Sequence, residues 1–257
     1  MQGRNRYYAP GADRAARVND LFATVAPRYD LINDLQSFGL HRAWKRKLVR
    51  LAEGRPGHLA LDVCCGTGDV TFALAEAGLE TIGLDFSEAM LAVARRRNVR
   101  RHHGNESDPL PRFLQGDAQQ LPFPDASFDV ITVSYGLRNL SRWQTGLGEM
   151  LRVARPGGRL LVLDFGKPDN PLWRAVYFNY LRVIVPIFGR IFCGDSQTHS
   201  YILESLKHYP AQHGVAEEMR RLGCDHVRIV NLLSGMMTVN YGRKPMTNDK
   251  SRMTNDE

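Results

Sequence analysis

The chain has 257 residues, 43% of them hydrophobic and 24% charged, with a formal net charge of +7. These are ordinary globular proportions, with length enough for one large α/β domain or two small ones. The positive balance fits nucleic acid or an anionic surface without selecting either, and no uncharged apolar stretch reaches the ~18 residues expected of a membrane helix.

Residues 1–17 read as a loose polar start without the apolar region of a signal peptide, although Arg14–Leu21 has helical character. Pro27 opens a helical turn, and Ser37–Lys47 leads into a basic amphipathic helix that ends near Leu51 and is expected to pack on a sheet. After a Gly54–Gly57 loop, Leu59–Val63 is a short buried strand. Gly66 and Gly68 then turn the chain, and Asp69 is placed to cap a helix over Val70–Ala77. Strand, Gly-rich turn and helix together make a nucleotide-type pocket at the carboxyl end of a parallel sheet. It is not a P-loop, because no Gly-Lys-Ser/Thr follows, and Cys64 stands where GxGxxG would have its first glycine. The next strand, Thr81–Asp85, ends in an acid at close to the spacing of a ribose-binding carboxylate. That acid suits NAD and equally the adenosine of S-adenosylmethionine.

Ser87 is a good N-cap for a helix over Glu88–Arg97. The basic run Arg95–Gly104 reads as a mobile loop, and without interleaved aromatics it is not a nucleic-acid site. Strands follow at Phe113–Gln115, which leads into Gly116-Asp117-Ala118, and at Phe128–Ser134. Then come a helix at Trp143–Ala154, a turn at Arg155–Gly158 and a strand at Arg159–Phe165. Such alternation implies a parallel sheet with helices on both faces. Leu172–Cys193 is the most apolar stretch, read as one or two amphipathic helices broken or kinked at Pro186 that cover an apolar pocket or lie on lipid. Within it, Arg174, Arg182 and Arg190 recur at even spacing. A helix at Val215–Leu222 and closing strands at His226–Leu233 and Thr238–Arg243 complete the fold, before a polar tail from Met246. The cysteines Cys64, Cys65, Cys193 and Cys224 lack metal-ligand spacing and fit a reducing cytoplasm.

Asp62, Gly66, Gly68, Asp85, Asp117-Ala118 and the Arg-Pro-Gly-Gly turn together resemble the class I S-adenosylmethionine-dependent methyltransferases. Tyr29–Trp44, Ser134–Asn139, Arg152–Phe165, Ser200–Ser205 and Asn231–Gly235 resemble, in order, motifs of the ubiquinone/menaquinone biosynthesis C-methyltransferases, over about Val18–Lys244. Three positions depart from the family pattern: Asp164 stands where Glu is usual, Gly166 where Ser is usual and Asn240 where His is frequent.

The resemblance implies an α/β, Rossmann-like class I fold with a mostly parallel seven-stranded sheet. It implies one domain over 18–245, with an N-terminal helical lid at 18–52, a helical substrate cover at 172–210, and disordered tails at 1–17 and 246–257. The implied cofactor is S-adenosyl-L-methionine, held by Gly66, Thr67, Gly68, Asp85, Asp117, Ala118 and Ser134. In this reading Thr67 faces the methionine end, Asp85 the ribose, Asp117 the adenine and Ser134 the methyl group. No metal is expected. Arg138 and Asn139 lie over the methyl acceptor, while Tyr29 and His41 are contacts from the lid.

The implied acceptor is a polyprenyl quinol, with demethylmenaquinol placed before a ubiquinone precursor, and a sterol or phospholipid amine as the alternative. An aromatic carbon is a weak nucleophile until the quinol gives up a proton. The resemblance gives Arg138 a part in proton removal through a water; a guanidinium, with a pKa above ~12, is a poor base itself, so Arg138 is expected to stabilise the developing phenolate and polarise that water. His41 could take a proton near neutral pH. The expected partners are the quinol and an anionic membrane surface, with no nucleic acid and with a homodimer left open. The expected location is the cytoplasm, peripheral on the inner face of the cytoplasmic membrane.

Overall fold

A computed structural model describes residues 14–102, 110–193 and 197–246. Most of the two expected tails, and the side chains of Phe188, Arg190 and Phe192, lie outside the described residues. Strands β1 (Leu59–Val63), β2 (Glu80–Asp85), β3 (Arg112–Gln115), β4 (Phe128–Ser134), β5 (Ala154–Phe165), β6 (Asp225–Leu232) and β7 (Met237–Arg243) form one sheet in the order β3-β2-β1-β4-β5-β7-β6. β1 to β5 run parallel, and β7 lies antiparallel to both β5 and β6. The chain leaves β1 for β2 on one side and returns to β4 on the other. Ligands bind at such a reversal, beyond the carboxyl ends of the strands.

Side chains on the central strands alternate between two cores, as the period of a strand requires. Leu61, Val63, Ile131, Val133, Leu160 and Val162 face one core, with α6 (Trp143–Val153) and α9 (Ala211–Arg221) packed there through Leu147, Met150, Val215 and Met219. Ala60, Val130, Leu161 and Leu163 face the other, covered by α3 (Leu40–Ala52) and α4 (Asp69–Glu76) through Leu48, Ala52, Val70 and Leu74. Before them in the chain come α1 (Arg14–Val25), a short turn of helix at Ala26–Arg28 and α2 (Tyr29–Ser37).

The long helix α7 (Pro171–Cys193) shows two faces. Tyr177, Leu181 and Val185, four residues apart, are buried, whereas Leu172, Trp173, Val176, Val183, Ile184 and Ile187 are exposed. Among the described residues no helix is long and apolar enough to cross a membrane.

Several expectations are corrected. The basic run after Arg95 is not a loop up to His102, because α5 spans Glu88–His102. Three of its arginines have partners: Arg95 pairs with Glu88, Arg97 binds Asp30 and Asp69, and Arg101 pairs with Glu76 and lies over the Phe72 ring. Pro186 does not end α7, which runs through it. The Arg155–Gly158 turn is absorbed into β5 as an irregularity beside β4 and is pinned to the residue that follows β7 by Gly157 N–H to Lys244 O (2.9 Å) and Lys244 N–H to Gly158 O (2.9 Å). Gly68, not Asp69, is the N-cap of α4. An additional helix, α8 (Gln197–His208), follows α7. At position 166 a side chain would not fit, because a Cβ there would lie 2.3 Å from Gly235 O.

Candidate active site

The turn after β1 is held in left-handed backbone at Cys64 (φ 55°), Gly66 (φ 56°) and Gly68 (φ 90°). Only glycine adopts this freely, so Cys64 carries local strain. The turn also meets the end of β4 closely, since a Cβ on Gly136 would sit 2.3 Å from Cys64 Cβ. Asp85, at the end of β2, stabilises this geometry from the side. Its Oδ2 accepts Gly66 N–H (2.8 Å) and its Oδ1 accepts Ser87 N–H (2.8 Å). Burial pushes the Asp85 pKa up, partly offset by these N–H groups.

Beside Asp85 lies a cavity of about 100 Å³ lined by Gly66, Ser87, Met90, Asp117, Ala118, Ser134 and Asn139 among others. The hydroxyls of Ser87 and Ser134 are buried there without a partner, which is uncommon unless a ligand group supplies one. Asp117 Oδ1 accepts Gln119 N–H (2.8 Å). A larger cavity of about 260 Å³ is lined by Tyr29, Ile32, His41, Trp44, Arg138, Phe165, Tyr177 and Tyr201 among others, with mainly apolar walls. Phe22, Tyr29 and Tyr135 line both cavities, which therefore adjoin.

Tyr135 follows Ser134 directly and is itself left-handed (φ 60°), with its buried hydroxyl lacking a partner. Burial raises its pKa well above the usual range, and it raises that of Tyr29 as well. Arg138 is 7% exposed. Its Nη1 donates to Tyr135 O (2.5 Å) and Asp164 Oδ1 (3.1 Å), and its guanidinium lies 4.7 Å from the centre of the Phe165 ring. Burial raises the Asp164 pKa and Arg138 draws it back. Asn139 lines the smaller cavity, donates from Nδ2 to Tyr135 O (3.0 Å) and accepts the Tyr201 hydroxyl at Oδ1 (3.1 Å). The structure thus gathers Gly66, Asp85, Asp117, Ala118, Ser134 and Asn139 at one cavity, Arg138 and His41 at the other, and Tyr29 at both.

Thr67 and Gly68 do not line either cavity. Thr67 Oγ1 donates to Asp30 Oδ1 (2.8 Å), so it fastens the N-terminal helices to the turn. Arg97 reinforces that clamp from α5, with Nη1 on Asp30 Oδ2 (2.9 Å) and Thr67 O (2.9 Å) and Nη2 on Asp69 Oδ1 (2.6 Å). Lys45 Nζ closes it on Asp69 Oδ2 (2.8 Å). Burial alone would raise the Asp69 pKa, but the two cations outweigh it and hold the carboxylate below its usual range. Sequence reasoning did not single out Tyr135, Asp164, Arg97 or Asp34 as site or clamp residues. For Tyr135 the signal was present, as it lies inside the strand-four motif next to Ser134.

The smaller cavity fits S-adenosylmethionine by its donor set. It offers a glycine turn for close backbone approach, two carboxylates for hydroxyl and amine groups, unpartnered serine hydroxyls, and apolar walls at Leu84, Met90 and Leu140. Among the described residues no cluster of His, Cys, Asp and Glu is placed to hold a metal ion.

Comparison with known proteins agrees with this geometry. The family model of the ubiE/COQ5 methyltransferase family matches residues 12–244. A demethylmenaquinone methyltransferase of Desulfitobacterium hafniense is 40% identical over 239 residues, covering 91% of this chain and 92% of the relative. A ubiquinone/menaquinone biosynthesis C-methyltransferase of Azotobacter vinelandii is 40% identical over 240 residues, covering 92% of this chain and 93% of the relative. Among solved structures, a Thermotoga maritima SAM-dependent methyltransferase described as a possible histamine N-methyltransferase has a TM-score of 0.61 at 17% identity, covering 88% of this chain and 99% of its own. A SAM-dependent methyltransferase of Aquifex aeolicus has a TM-score of 0.55 at 18% identity, covering 77% and 88%. These two likenesses speak to the fold alone. The chain belongs to the ubiE/COQ5 methyltransferase family and is an S-adenosylmethionine-dependent C-methyltransferase.

Proposed function

We propose that the acceptor is a polyprenyl quinol, with demethylmenaquinol the preferred substrate, methylated on a ring carbon. One observation carries this reading: the larger, apolar cavity adjoins the smaller one through Phe22, Tyr29 and Tyr135 and has the buried Arg138 in its wall. An aromatic head with a hydrophobic tail matches such a lining.

S-adenosylmethionine, when bound, supplies an electrophilic methyl group on a sulfonium. In our reading Asp85 accepts the ribose hydroxyls, Asp117 the adenine amine, and Ala118 gives the flat wall beside it. Gly66 lets the backbone approach, and Ser134 stands at the boundary of the two cavities. Thr67 and Gly68 act through the shape of the turn. Arg138, fixed by Asp164 and Tyr135 O, holds the quinol oxygen as negative charge builds on it, a task for a preorganised donor in a site that excludes water. Asn139 fixes the strand-four turn and meets Tyr201 at the cover. The N-terminal helices, clamped through Asp30, close the site, and alignment in such a site lowers barriers by up to about 7–11 kcal/mol in ideal systems.

The enzyme must collect a water-insoluble substrate, and we assign its docking to an anionic membrane surface. The exposed face of α7 supports this, together with Phe38, which is 78% exposed and lines the larger cavity. The cytoplasmic location follows from the same reading. The test is to compare kcat/KM for short-chain demethylmenaquinol and for a demethylated ubiquinone precursor. A preference for the first supports the reading. Activity on neither quinol, with methylation of a sterol or phospholipid amine, overturns it.

A further inference from the structure

His41 opens α3 and is 3% exposed. Its Nε2 lies 2.7 Å from Asp34 Oδ1, while its Nδ1 is buried and has no partner. The ring lines the larger cavity, alongside Tyr135 and Arg138. A buried polar nitrogen without a partner costs stability, so its retention points to a role with a ligand.

The dyad is built into the fold. Phe38 (φ 51°) and Gly39 (φ 74°) are both left-handed and reverse the chain between α2 and α3, which returns Asp34 to the side of His41. Arg42 holds both carboxylate oxygens, with Nε on Oδ1 (2.8 Å) and Nη2 on Oδ2 (2.5 Å). Through these bonds Arg42 keeps the Asp34 pKa below its usual range. Ser37 Oγ accepts the His41 backbone N–H (3.2 Å), which anchors the start of α3.

We propose that Asp34 and His41 form the proton-accepting dyad of the reaction, with Nδ1 of His41 taking the hydroxyl proton of the quinol. This rests on the quinol reading above. Asp34 accepts the Nε2–H and so selects the tautomer whose Nδ1 carries the lone pair. The hydroxyl O–H bond breaks, its proton moves to Nδ1, and the electron pair stays on oxygen, where Arg138 meets it. The imidazolium so formed faces the Asp34 carboxylate. As the ring carbon gains the methyl group, the carbon–sulfur bond breaks and the sulfonium becomes a neutral thioether. The ring carbon then loses its proton, aromaticity returns, the oxygen regains a proton, and one proton passes to water overall.

The charges that face His41 are Lys45 from its own helix, Asp34 from α2 and Asp69 from α4, with Arg138 in the same cavity wall. Burial, and next Lys45, lower the His41 pKa, which leaves the ring neutral and able to accept a proton at neutral pH.

The experiment measures methyl transfer to short-chain demethylmenaquinol from about pH 4.5 to 9, a range that reaches well below an ordinary histidine because burial lowers His41, for wild type, His41→Gln and Asp34→Asn. Cofactor affinity and Tm are measured beside it. His41→Gln is expected to lower kcat by about 100-fold or more, with cofactor affinity and Tm kept. Its acid limb should be lost and its rate should climb with pH, as the quinol ionises unaided. Asp34→Asn should lower kcat and displace the same limb, and it tests the dyad even if His41→Gln does not fold. Wild-type kcat and an unchanged acid limb in either folded variant would overturn the dyad while leaving the quinol reading intact. Failure of wild type to methylate any quinol would overturn both.

Discussion

Arg138 Nη1 lies 3.1 Å from Asp164 Oδ1, with both side chains buried. The backbone supports the pair: Asp164 Oδ1 also accepts Phe165 N–H (2.8 Å), and Oδ2 accepts Arg138 N–H (3.3 Å). The guanidinium is therefore fixed at the end of the sheet before any acceptor arrives. Arg138→Lys keeps the charge but loses the planar fork of donors. We expect kcat to fall by about 100-fold or more, in line with removal of a preorganised anion donor, with cofactor affinity unchanged. Near wild-type turnover in the folded variant would reduce Arg138 to a packing residue.

In the proposed cofactor role Asp85 would carry a second task, since its oxygens already hold Gly66 N–H and Ser87 N–H. Asp85→Ala should weaken S-adenosylmethionine binding by about 1.5–3 kcal/mol, the range for hydrogen bonds to a charged group. Titration calorimetry is the measurement. Unchanged affinity in a folded variant would remove Asp85 from the cofactor site.

The proposed membrane docking rests on the side chains of α7 and of the α2–α3 turn that stay exposed. Tyr177 turns inward, and Arg174 is engaged by the carbonyls of Pro168 (2.7 Å) and Asp169 (3.0 Å). In the proposed docking the apolar contact is assigned to Phe38, Trp173, Ile184 and Ile187, which are exposed. Replacing Phe38 and Ile184 with Ser should weaken flotation with anionic liposomes, and added salt should weaken it further because charged contacts are screened. Flotation indifferent to both would leave α7 as a cavity wall alone.

Asp62 is buried beneath the cofactor turn, accepting the hydroxyls of Thr71 (2.7 Å) and Thr132 (2.8 Å). Burial pushes its pKa up to about 6 from 3.8, against the pull of those hydroxyls. The folded state thus holds the Asp62 proton more tightly than the unfolded chain does. Its contribution to stability is full below the unfolded pKa and is lost as pH rises through the folded one. Asp62→Asn titrates in neither state, so its stability relative to wild type should rise by about 3 kcal/mol between pH ~3 and ~7. Urea unfolding at several pH values measures this, and a difference independent of pH would contradict it.

The parallel sheet, the glycine turn and the closing antiparallel pair were legible because alternating apolar runs and glycines are local signals. So were the cavity-lining residues that fall at strand ends, such as Asp85 and Ser134. The pairings that shape the site were not. Asp34 meets His41 only because two left-handed residues reverse the chain between them. Arg97 looked like part of a loose basic run because its partners, Asp30 and Asp69, lie far off in sequence on other elements. Tyr135 lay in view inside the strand-four motif, but its left-handed backbone and unpartnered hydroxyl are properties of the folded chain.

In the proposed reaction, two adjoining cavities deliver a methyl group to a quinol ring carbon. Its most direct test is to incubate the protein with S-adenosylmethionine labelled with carbon-13 at the methyl group and with reduced demethylmenaquinol, and then to record the carbon spectrum of the isolated product. A labelled methyl bonded to ring carbon is expected, with its resonance in the aryl-methyl region. A label in an O-methyl ether, or none in the quinol from protein that binds S-adenosylmethionine, would contradict it.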